Sequence, residues 1–90
     1  MPAHHISVSG YVQGVGFRNY VLQTARHSGI LGQVWNSRSG TVEIVAQHTD
    51  ENALKLFEEE MWNGPGRVDD VKVSDTQAHS YASFEVSATR

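Results

Sequence analysis

Ninety residues, 39% apolar and 19% charged, suit one small folded domain spanning residues 1–90 and exclude a disordered chain. The absence of cysteine excludes disulfides, thiolate metal sites and a cysteine nucleophile, and a net charge of −3 provides no general basic field for nucleic acid. No run approaches the roughly 20 apolar residues of a membrane helix, and Met1–His5 lacks signal-peptide character, so the expected compartment is the cytoplasm. From Ile6 to Val12 the chain alternates, with Ile6, Val8, Gly10 and Val12 on one face, which predicts a half-buried first strand. Gln13 to Gly16 form a glycine loop. The period then changes, and Phe17, Tyr20, Val21 and Ala25 predict a helix that runs to about Ser28 and stops at Gly29.

Leu31–Asn36 and Thr41–Gln47 are predicted as the second and third strands, joined by the turn residues Ser37, Arg38, Ser39 and Gly40. Thr49 or Asp50 caps a second helix with Leu54, Phe57 and Met61 on its apolar side, and Glu51 favours its positive end. Gly64-Pro65-Gly66 ends that helix. A fourth strand starts near Val68, and Phe84 to Ala88 can add a short fifth one.

The order is β-α-β-β-α-β, a ferredoxin-like α+β arrangement: an antiparallel sheet with two helices on one face. In that topology strands one and two run parallel on either side of strand three. Their C-terminal ends share one sheet edge, about 10 Å apart over two strand spacings. The glycine loop and Asn36 therefore emerge together.

Val12-Gln13-Gly14-Val15-Gly16-Phe17-Arg18 leads from a strand through a glycine loop into a helix start. Glycine permits positive φ and converging N–H groups, the helix start adds free donors, and an arginine in the first turn offers a planar fork to an anion. These parts make a phosphate site. The same residues also fit a plain strand-to-helix turn followed by a solvated arginine. Neither a dinucleotide fingerprint nor a Walker loop is completed, because Asn19 occupies the third glycine position and the GK[ST] ending is missing.

The string VSGYVQGVGFR, residues 8 to 18, closely resembles the signature of the acylphosphatase family. GQVWNSRSGTVE, residues 32 to 43, resembles its second signature, and NGPGRVDDVKV and FEV extend the likeness over nearly the whole chain. The resemblance implies hydrolysis of the carboxyl-phosphate bond of acyl phosphates, without cofactor or metal, by a free-standing monomer. It implies that the backbone amides of Gln13, Gly14, Val15, Gly16 and Phe17, with Arg18, cradle the substrate phosphate, and that Asn36 positions the attacking water. Inorganic phosphate would be both product and inhibitor. Ser37 either supports Asn36 or serves only the turn. Tyr11 stands where family members often carry a basic residue, and Gln33 where a tryptophan is common, with Trp35 two positions on.

Other residues read more plainly. Glu43 is expected to pair across the sheet, Glu58, Glu59 and Glu60 to form a solvated face, and Trp62 to be a packing residue. The five histidines form no spaced ligand set, and Ser7 and Ser9 have no histidine–aspartate arrangement near them in sequence. The alternative to an enzyme is a non-catalytic ferredoxin-like module that binds an anion or a partner.

Overall fold

A computed structural model describes all residues, Met1–Arg90. The elements are β1 (Ala3–Tyr11), α1 (Phe17–His27), β2 (Leu31–Asn36), β3 (Val42–Gln47), α2 (Glu51–Glu60), β4 (Arg67–Asp75) and β5 (Phe84–Val86). They form one five-stranded sheet in the order β4-β1-β3-β2-β5. β1 and β2 are thus parallel and separated by β3, as the element order requires.

Alternation along the strands sets what each face buries. Ile6 lies opposite Ile44, which lies opposite Val34; Val8 lies opposite Val42, which lies opposite Asn36. These rows point to the helical side, where Phe17, Val21 and Ala25 of α1, Leu54 and Phe57 of α2 and Met61 just beyond it complete the core. The i, i+4 spacing of Phe17, Val21 and Ala25 gives α1 its single buried stripe. Asn36 is therefore the polar end of a row that is otherwise apolar. No helix is long and apolar enough to cross a membrane.

Five features differ from the sequence-based expectations. β1 starts at Ala3, because Ala3, His4 and His5 already pair with β3, and the two histidines with β4 as well. β5 runs parallel to β2, so the sheet is mixed and not antiparallel throughout. The reason is geometric: Asp75 at the end of β4 lies opposite His4, at the edge where β2 begins. A chain crossing that edge must enter beside β2 in β2's own direction. The buried Gln47 holds the crossing, donating to the His79 carbonyl at 2.7 Å and accepting from its amide at 3.0 Å. β5 also ends at Val86, before Ala88.

The acidic run and Trp62 are the other two departures. Glu58 is not solvated: its side chain is only 13% exposed and bonds His4 Nδ1, while Glu51 and Asp75 face His4 Nε2 at 3.8 and 3.6 Å. Glu59 and Glu60 do face solvent. Trp62 is 51% exposed. It sits in a 3-10 turn, Met61–Asn63, that buries Met61 and so turns the next side chain outward.

Candidate active site

Strand β1 ends at Tyr11, and the next four residues after the buried Val12 bend into the N-terminus of α1. Gly14 and Gly16 have φ of +73° and +84°, and a Cβ at either would meet no protein atom within 4 Å. The restriction at both positions is backbone strain, not space. Gly16 is the N-cap of α1, makes no side-chain cap bond, and no acidic residue follows in the first turn. The first N–H groups of α1 and the positive end of its dipole are left for an outside acceptor.

Arg18 stands in that first turn, and its Nη1 donates at 3.4 Å to the Ser87 carbonyl, just beyond β5. A cavity of about 300 Å³ opens here, lined by Val12, Gly14, Gly16, Phe17, Arg18, Asn19, Asn36 and Val86. The expected gathering of glycine loop, Arg18 and Asn36 at one sheet edge is what the fold produces. Asn36 is 9% exposed, and its Oδ1 is buried with no hydrogen-bond donor within the chain. A buried amide oxygen without a partner costs stability. Here it belongs to a side chain that lines the same cavity as the Arg18 fork.

Other predicted residues take different places. The Gln13 side chain turns away from the cavity and donates to the carbonyls of Ser37 and Thr41. Val15 packs against the core with its side chain. Ser37 Oγ pairs with Ser39 Oγ at 2.7 Å and accepts from the Ser39 amide at 3.1 Å, bonds that lie within the turn and do not touch Asn36. Tyr11 is exposed and does not line the cavity. Gln33 bonds Tyr81, Ser87 and Arg90, and the Arg90 guanidinium lies 4.2 Å over the Trp35 ring.

Sequence reasoning missed Asn19 and Val86 as lining residues. Asn19 adjoins Arg18 and could have been found from the helix start. Val86 could not, because only the direction of β5 brings it there. Also missed was the tail, where the Arg90 amide donates to the Asn36 carbonyl and the Arg38 amide to the Arg90 carbonyl, both at 2.9 Å.

On the opposite face of the sheet Glu43 accepts from His5, Ser7 and Thr41 at 2.8, 2.7 and 2.6 Å. It pairs across the sheet, as expected. Serine and histidine meet the same carboxylate there instead of each other, so the group is not a nucleophilic triad. Burial pushes the Glu43 carboxyl up, but the donors Thr41, Ser7 and His5 outweigh it and hold the group below the ordinary carboxylate range. A depressed folded-state value gives stability that is present above the unfolded pKa and lost as pH falls through the folded one. Acid unfolding of Glu43→Gln should accordingly be less steep than that of the unsubstituted chain. No three His, Asp or Glu side chains converge as a metal-holding group.

The fold and the cavity define an α+β domain whose cavity is lined by a glycine loop, a helix N-terminus and an arginine. Comparison with known proteins gives the family. The family model described as Acylphosphatase matches residues 4–86. An acylphosphatase of Thermotoga petrophila is 41% identical over 88 residues, 96% of this chain and 97% of its own. One from Lactococcus lactis is 62% identical over 50 residues, 56% of this chain and 52% of that relative's length, so this match spans about half of each. The solved acylphosphatase of Bacillus subtilis superimposes with a TM-score of 0.91 at 37% identity, over 97% of this chain and 99% of its own. The chain belongs to the acylphosphatase family, whose members are hydrolases.

Proposed function

We propose that the chain hydrolyses acyl phosphates to a carboxylate and inorganic phosphate, with Arg18 and Asn36 as its catalytic pair. The observation that carries the assignment is that Asn36, whose buried Oδ1 has no donor within the chain, lines the cavity that Arg18 and the open end of α1 also line. The phosphoryl group binds to the amides of residues 13 to 17 and to the Arg18 fork, which neutralise its charge and grow in value as the transition state forms. The Asn36 side-chain amide, with both a donor and an acceptor, orients a water so that its lone pair faces phosphorus. The new P–O bond forms as the bond to the carboxyl oxygen breaks, and the departing carboxylate takes that electron pair. The water's proton passes to a phosphate oxygen. A carboxylate leaves readily, so positioning and charge stabilisation suffice without a protein base.

The elements pack on one core and several of them line the cavity, which supports a single domain. The test is hydrolysis of benzoyl phosphate by the purified protein, with and without a chelator. We expect equal turnover in both and competitive inhibition by inorganic phosphate. Folded protein that binds phosphate but turns over no substrate would instead be a non-catalytic anion module.

A further inference from the structure

The loop after β1 and the end of β2 must keep a set distance if phosphate and water are to meet in line. The sheet fixes it only as far as the row Val8–Val42–Asn36, where β1 stops pairing with β3, and the loop from Gln13 lies beyond that row. β3 lies between β1 and β2, so no ladder hydrogen bond joins the two strands. Nor is the Asn36 side chain held by any bond of its own, since its Oδ1 has no donor within the chain. Its place depends on where the backbone of Asn36 and the turn beyond it stand.

One side chain crosses the gap. Gln13, the first residue of the loop, donates through Nε2 to the Ser37 carbonyl at 2.7 Å and the Thr41 carbonyl at 2.9 Å. Ser37 directly follows Asn36, and the Ser37 amide donates to the Thr41 carbonyl at 2.9 Å, closing the turn. The two carbonyls are both acceptors, so the bridge needs two hydrogens on one atom. A neutral primary amide of this length supplies them, whereas a carboxylate supplies none. These two bonds are the direct hydrogen bonds from the loop to the hairpin.

We infer that Gln13 is a positioning residue: its side-chain amide sets the separation between the phosphate loop and the Asn36 amide. This rests on the roles proposed above for Arg18 and Asn36. The backbone amide of Gln13 can still serve the phosphate, because the side chain leaves in the other direction. The consequence is a selective one. Loss of the bridge lets the hairpin end drift, which misplaces the water, while the glycine backbone and the start of α1 still hold the anion.

Gln13→Met keeps the length and removes both donors. We expect kcat to fall about ten-fold or more, since small misplacements of a positioning group cost up to about 100-fold, with the inhibition constant of phosphate changed by less than about three-fold. In an Asn36→Ala background the same substitution should lower kcat by less than about two-fold, because the group it positions is gone. A loss of thermal stability with unchanged kcat, or an equal kcat loss in both backgrounds, overturns the inference. If Asn36→Ala alone keeps its turnover, the water-positioning role of Asn36 fails first, and the bridge loses its purpose with it.

Gln13→Glu provides an independent reading should the methionine variant not fold. Ionised, it sets a carboxylate against two carbonyl oxygens; protonated, it regains one donor. The ratio of its kcat to that of the unsubstituted chain should therefore rise as pH is lowered. A ratio that stays flat across the acid range also overturns the inference.

Discussion

The two helices begin in opposite ways. α2 starts at Asp50, whose side chain accepts from the Asn52 amide at 2.9 Å, and Glu51 adds a negative charge in the first turn. The Asp50 amide is itself bonded to His48 Nδ1. α1 starts at Gly16 in a left-handed conformation, with no side-chain cap and no acid in the first turn. Both ends carry the same free N–H groups and the same dipole. One is answered by the chain's own residues and serves stability. The other is left open at a cavity, beside an arginine, where we propose that the substrate phosphate binds. An uncapped helix start is informative because a serine or aspartate in an extended conformation is the ordinary N-cap of a stable helix, and the left-handed backbone at Gly16 excludes it.

Substitutions at each end test that division. The largest effect is expected for Arg18→Ala, with kcat/KM lower by about 1,000-fold and phosphate binding weakened, as for loss of a group that meets developing charge. Arg18→Lys should recover little, because the charge returns without the bidentate fork. Steady-state kinetics that left Arg18→Ala nearly active would place the anion elsewhere than at α1. Asn36→Ala comes next: kcat should drop about 100-fold while phosphate still inhibits as before. A phosphate affinity as poor as that of the Arg18 variant would show Asn36 to be a binding group instead.

At the other helix, Asp50→Ala should cost about 1 kcal/mol in a urea unfolding curve and leave kcat unaltered. Any change in kcat would mean that the two ends are not independent. The smallest effect should come from giving α1 what α2 already has. Asn19→Asp puts an acid in the first turn, which should raise stability by about 0.3–1 kcal/mol and weaken phosphate inhibition. If stability and phosphate affinity rose together, the open end of α1 would not be the phosphate site.

The legible parts of this molecule were those set by near neighbours. β2 runs from Leu31 to Asn36, and Leu54 and Phe57 of α2 with Met61 just after it point inward, as alternation and helical spacing require. Gly29, with φ +69°, ends α1 where a left-handed residue was expected. Arg18 was legible for the same reason, since loop, glycines and arginine are contiguous. Asn36 was placed at the right edge by element order, but its partnerless oxygen was not visible in a string. The direction of β5, the burial of Glu58 against His4 and the exposure of Trp62 depend on residues far apart in the chain.

Gln13 shows where the division falls. The sequence by itself determined its position at the head of a glycine loop, because a strand, two glycines and a helix start follow one another along the backbone. Only the tertiary structure decided what its side chain does. β1 stops pairing with β3 at Val8, so the loop beyond it has no ladder bond to the hairpin, and one amide, aimed at two carbonyls, makes the link.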